Sequence, residues 1–93
     1  MFETNEYFYG KVKSIAYETE KGRETVGVMA PGEYAFGTST VEYMTVISGE
    51  MDVLLPGDKE WKTFKETETF IVDKDQKFGV KITRDTSYKC LYK

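Results

Sequence analysis

The stretch Gly32–Val53, GEYAFGTSTVEYMTVISGEMDV, decides the fold. Gly, Ser and Thr turns break it into extended runs at Gly32–Gly37, Val41–Ile47 and from Met51 onward. Strand side chains alternate between two faces, so Glu42 points the same way as Met44 and Val46. That places a carboxylate with the apolar residues, inside whatever the sheet encloses, where a charged group needs a partner or a task. ISGEMDVLLPG reads as a hairpin. A β-branched strand runs into Ser48-Gly49, and a second strand must stop at Pro56, which has no N–H for a ladder.

The rest of the chain follows the same pattern. Period-2 runs are expected at Tyr7–Tyr17, Thr25–Met29, Trp61–Lys65, Thr69–Val72, Phe78–Thr83 and Ser87–Tyr92, with Met51–Leu55 completing the set. EKGR, MAPGE, SGE, LPGDKE, DKDQK and RDTS supply the turns, and no segment has a helical period. Many short strands at close spacing predict a single all-β domain over residues 1–93, a sandwich or a barrel. A chain of 93 residues buries only ~60–65% of its unfolded surface, so pairing with a second copy would help it.

Charge and composition exclude several classes. The net charge is −3, from 13 basic and 16 acidic residues. The basic residues are scattered, so no nucleic-acid face is expected. One cysteine, Cys90, allows no internal disulfide, which points to the cytoplasm. The start MFETNEYFYG has no apolar run of a signal peptide, and no stretch reaches the ~18 apolar residues of a membrane helix. With no histidine and one cysteine, neither structural zinc nor a thiolate cluster is expected, and no Asp-x-Asp pattern suggests calcium.

Glu42 followed by six residues and Gly49 resembles the end of the first cupin signature. The His-x-His positions of that signature fall near Phe36 and Thr38. The stretch ETETFIVDKDQKF matches the second signature without its Pro, Gly or His, the last falling near Lys77. The chain thus looks like a small cupin-like β-barrel of the jelly-roll type that keeps the glutamate and not the metal ligands. A closer resemblance spans nearly the whole chain. NEYF, GKVKSI, GR, VGVM, GEY.F, E.MTVISG, VLLP and TSY.C.Y, in that order, resemble the small metal-free cupin-fold pyrimidine/purine nucleoside phosphorylases. The resemblance implies a cytoplasmic homodimer without cofactor. It would use inorganic phosphate as co-substrate to split diverse purine and pyrimidine nucleosides into free base and α-D-ribose 1-phosphate. The departures after Tyr17 and at Asp73–Lys77 read as surface loops.

Phosphorolysis needs an anion cradle, a group for the sugar hydroxyls and a platform for the base. Arg23, with its planar fork of donors, is the candidate cradle together with Thr38 and Ser87. A turn arginine is more commonly just solvated, as are Lys11 and Lys13 on the first long strand. Glu42 is the candidate for the ribose, since a carboxylate accepts from two hydroxyls and stabilises positive charge near the anomeric carbon. The plainer role, pairing with a buried cation, ranks below it, and if burial raises its pKa Glu42 could also act as a general acid or base. Tyr34, Phe36 and Tyr88 are candidates for the base platform and Met44 for the pocket wall, against the plainer role of barrel core. Tyr92 shares a face with Tyr88 and Cys90, and core packing suits Phe36 and Tyr92 at least as well. Cys90 has no histidine to activate it. Trp61 is expected on the outer sheet or at a dimer contact, and the first long strand is the expected dimer face. The alternative function is a non-catalytic cupin binding a sugar or nucleoside. A cupin-type sugar isomerase ranks below it, because no histidine is present for proton transfer.

Overall fold

A computed structural model describes residues 1–93, and all regular structure in it is strand. The strands are β1 Glu3–Tyr7, β2 Val12–Thr19, β3 Gly22–Met29, β4 Gly32–Gly37, β5 Glu42–Ser48, β6 Glu50–Leu54, β7 Lys62–Lys65, β8 Thr69–Val72, β9 Lys77–Ile82 and β10 Thr86–Tyr92. They form a six-stranded sheet in the order β1-β2-β3-β10-β5-β8 and a four-stranded sheet in the order β4-β9-β6-β7. Every pairing is antiparallel. No helix is present that is long and apolar enough to cross a membrane.

The expected barrel is not closed. Each sheet keeps two free edges, β1 and β8 in one and β4 and β7 in the other. The alternation of apolar and polar residues fixes which face is buried, but sandwich and barrel bury the same face, so the pattern could not distinguish them. Between the sheets lies one cluster of 14 buried apolar residues, among them Val12, Met29, Val46, Met51, Val53, Val80 and Cys90. Fully burying a side chain of the Val or Met kind contributes ~1.5–3 kcal/mol, which is what holds two open sheets face to face.

Two strand expectations need correction. Tyr7–Tyr17 is not one strand. Phe8, Tyr9 and Gly10 all take left-handed backbone, with φ of 55°, 59° and 84°. The chain turns there, Gly10 N–H donating to Tyr7 O at 3.2 Å, and β1 folds back on β2 as a hairpin. Aromatic residues normally avoid such a turn, which is why the sequence reads as extended. Nor is ISGEMDV a hairpin. β5 belongs to the six-stranded sheet and β6 to the four-stranded one, so the chain crosses between sheets at Gly49. A corner and a hairpin both call for a positive-φ glycine, and Gly49 has φ 86° with Thr86 packed so close that no Cβ would fit. The strand does end before Pro56, where Asp58 N–H donates to Leu55 O at 3.0 Å and Gly57 has φ 78°.

Candidate active site

Glu42 opens β5, next to the buried strand β10, and its register partner there is Tyr92. Period-2 alternation on these strands sends Glu42, Met44, Tyr88, Cys90 and Tyr92 to the inner face. Between the two sheets lies a cavity of about 360 Å³. Its walls differ in chemistry. The six-stranded sheet supplies Ser14, Glu42, Tyr88 and Tyr92, with Met29 and Met44 beneath. The four-stranded sheet and the β1–β2 turn supply Phe36, Phe78 and Phe8. With Tyr34, those rings form a continuous chain of tilted and edge-on contacts. Phe8 lies 4.9 Å from Tyr34 and edge-on at 5.5 Å from Phe36, and Phe36 lies 5.6 Å from Phe78. One wall can thus hydrogen-bond, and the facing wall is aromatic hydrocarbon.

Glu42 is half-buried with no cation paired to it; its one side-chain partner is the Cys90 thiol, which donates to Oε1 at 3.5 Å. Burial raises its pKa above the usual carboxylate range, opposed by that hydrogen bond. Burial likewise pushes the Tyr88 phenol up to about 12, with Ser14 as its hydrogen-bonding neighbour. Tyr92 and Cys90 are also shifted up, chiefly by burial. The Tyr92 hydroxyl meets Thr25 Oγ1 at 3.2 Å. Cys90 is fully buried, a small core residue beside Glu42.

Of the sequence candidates, the structure brings Glu42, Phe36, Met44 and Tyr88 to this cavity. Tyr34 lies behind the aromatic wall, buried, its hydroxyl donating to Ala30 O at 2.5 Å. The other three lie elsewhere, each with partners of its own. Arg23 is exposed at the start of β3, in phase with the inward-facing Thr25, Gly27 and Met29 but outside the cavity lining, in a close ion pair with Glu3 and 3.9 Å from Glu18. Thr38 donates to Asp73 O at 2.6 Å and accepts from Gln76 N–H at 3.0 Å, stapling the Asp73–Gln76 turn. Ser87 bonds Ser48 Oγ at 2.5 Å on the outer face. No lysine or arginine lines the cavity.

Tyr7, Phe8 and Ser14 line the cavity and escaped sequence reasoning. The usable signal was NEYFYG, where three aromatics run into a glycine: a turn there frees Phe8 to face inward. Trp61 precedes β7 and covers Gly79, where a Cβ would come within 3.1 Å of its ring, while Lys81 Nζ sits 4.0 Å above the ring. It is a packing residue remote from the cavity's lining.

The family model for pyrimidine/purine nucleoside phosphorylase matches residues 2–92. A pyrimidine/purine nucleoside phosphorylase of Alcanivorax borkumensis is 58% identical over 92 residues, covering 99% of this chain and 98% of that protein. Another of the same name, from Pseudoalteromonas atlantica, is 54% identical over 99% of both chains. Among solved structures, a protein of unknown function from Vibrio parahaemolyticus superimposes with a TM-score of 0.96 at 38% identity, over 100% of this chain and 99% of that one. One from Acinetobacter gives 0.92 at 29% identity, over 98% of this chain and 90% of that one.

Proposed function

The chain belongs to the pyrimidine/purine nucleoside phosphorylase family, and on that premise we propose that it cleaves purine and pyrimidine nucleosides with inorganic phosphate, giving free base and α-D-ribose 1-phosphate. The observation that carries this is the two-sided cavity, polar around Glu42 and aromatic across from it. A nucleoside has the same two-sided chemistry, a polyhydroxylated sugar joined to a flat ring. About 360 Å³ lies within the usual ~300–1,000 Å³ of small-molecule sites.

Glu42 holds the ribose hydroxyls in this reading, and Phe36 and Met44 wall the site. A phosphate oxygen bonds to the anomeric carbon as the bond to the base nitrogen breaks, and the bonding pair leaves with the base. The attacking hydrogen phosphate gives up one proton and the base takes up one. In this reading Glu42, whose pKa burial raises, relays it. With no cation in the lining, the phosphate is held in this reading by the lining hydroxyls Ser14, Tyr88 and Tyr92, which exchange their mutual contact and the contact with Thr25 for the anion. We read the sandwich as a cupin-type jelly roll, with Glu42 as the retained acid of that site, and the enzyme as a cytoplasmic homodimer working without a cofactor.

The lack of a lining cation favours one other function, a cupin that binds nucleosides without cleaving them. Base release from uridine, cytidine, thymidine, adenosine, guanosine and inosine, with and without phosphate and with chelator present, separates the two. Phosphate-dependent release from several nucleosides is expected. Release independent of phosphate would make the protein a hydrolase, and binding without release would make it the binding module.

A further inference from the structure

We propose that Phe8 is the residue that stacks on the nucleobase and sets the tolerance for base size, held at the cavity rim by the left-handed turn Phe8–Tyr9. This rests on the nucleoside reading of the cavity and deepens it. Three observations converge. First, Phe8 and Tyr9 both have positive φ, at positions where Asn, Asp or Gly would be relaxed. Strained backbone persists where the surroundings over-determine it, and it clusters at ligand sites. Tyr9 is fully exposed, so the packing that holds the turn comes from Phe8 on Tyr34 and Phe36.

Second, Phe8 is 39% exposed whereas Tyr34 and Phe78 are buried at 4%. Its ring packs on Tyr34 and Phe36, lines the cavity and keeps exposed surface. Third, the hydrogen-bonding groups are gathered on the opposite wall. Once the ribose meets Glu42, the base extends toward Phe8 and Phe36, where it finds π-faces. Stacking accepts any base, since every base offers a π-face. A site that grips the base in this way takes one-ring and two-ring bases alike, and it favours the larger by overlap.

The test compares wild type with Phe8→Leu, Phe8→Tyr and Tyr9→Gly, measuring KM and kcat for inosine and uridine in phosphate. Calorimetric binding of the same nucleosides and thermal melts go alongside. Loss of one base stack predicts a weakening of about five- to hundredfold, read in KM, larger for inosine than for uridine. Phe8→Tyr should restore affinity, and Tyr9→Gly, which relaxes the turn and leaves Phe8 in place, should stay near wild type. If Phe8→Leu fails to fold, Phe8→Met carries the same comparison. An unchanged KM, or an equal kcat loss on both substrates with KM intact, overturns the assignment. Wild-type turnover decides the functional reading separately. If wild type binds nucleosides without cleaving them, that reading fails while the binding ratio still decides Phe8. If wild type neither binds nor cleaves, both fall.

Discussion

Gly27→Ala tests whether β2, β3 and β10 meet as closely as described and whether that closeness shapes the cavity. Gly27 lies mid-strand in β3, paired with Ser14 on one side and Tyr88 on the other. A Cβ there would sit 2.6 Å from Lys13 O, 2.7 Å from the Tyr88 hydroxyl and 2.8 Å from Tyr88 Cζ, where ordinary contact begins at 3.4 Å. The Lys13 carbonyl is backbone in the β2–β3 ladder and cannot yield without breaking hydrogen bonds. The Tyr88 ring can yield only by swinging toward the cavity that it lines. Overpacking of this kind costs ~1–3 kcal/mol or more. In a domain of this size each kcal/mol lowers Tm by ~4–8 °C, so a drop of about 5–20 °C is expected. Melts followed by circular dichroism measure it. Adding Tyr88→Phe removes one of the three short contacts and leaves the backbone clash, so the double variant should recover little. Nucleoside KM should rise as well, because the displaced ring enters the site. A Gly27→Ala protein melting within about 2 °C of wild type would refute the reasoning.

Glu42→Gln should change how stability depends on pH. A carboxyl with folded pKa above its unfolded value binds more protons folded than unfolded, so its effect on stability is lost as pH rises from the unfolded value, ~4.3, through the folded one. The variant should therefore gain Tm over wild type at pH 8 relative to pH 4; parallel curves would sink this. Thr38→Val removes a hydroxyl that bonds both Asp73 O and Gln76 N–H, and leaving those groups unpaired should cost ~1–3 kcal/mol in urea unfolding with nucleoside KM unchanged. A changed KM with unchanged stability would instead give Thr38 a part in the site. Val28→Lys places a charge among Ile15, Val26 and Val28, all at least 38% exposed on the outer face of the six-stranded sheet. If that face joins two copies, light scattering should show twice the chain mass for wild type and a single chain for the variant, and an unaltered dimer would move the interface elsewhere.

Most strands were legible in the sequence because half-buried strands alternate visibly. Gly32–Gly37 and Thr69–Val72 have the boundaries their residues announce. Glu42 was legible for the same reason: an acid in phase with Met44 and Val46 points inward whichever β-fold encloses it. What stayed hidden lies where one local signal serves two architectures. Gly49 suits a hairpin or a sheet-to-sheet corner, and Phe8–Tyr9 uses residues that the turn's conformation disfavours. The placement of Arg23 and Thr38 could not be read either. Whether a polar residue reaches a site depends on which partners intercept it, and Glu3 and Asp73, remote in sequence, do so here. Ser87 differs: it is out of phase with Tyr88, and the alternation alone turns it outward.

The chemistry of the cavity follows from a balance of charge. Its ionisable groups are acids, and burial favours the neutral form of Glu42, Tyr88 and Tyr92. Phosphate entering a half-desolvated space with no lysine or arginine in its lining meets hydroxyl donors, and it would meet repulsion from an ionised Glu42. Protonated, the same side chain would be a donor and would remove that repulsion, which is the condition the proposed relay of a proton toward the base requires. In the proposed reaction, the raised pKa would favour a neutral Glu42 beside the incoming phosphate. A fixed arginine in that place would bind phosphate more tightly and hold Glu42 ionised, removing the proton source. On this view the weak, hydroxyl-based grip on phosphate is the condition under which a lone carboxyl can act as the acid, and phosphate KM should climb with pH as Glu42 loses its proton.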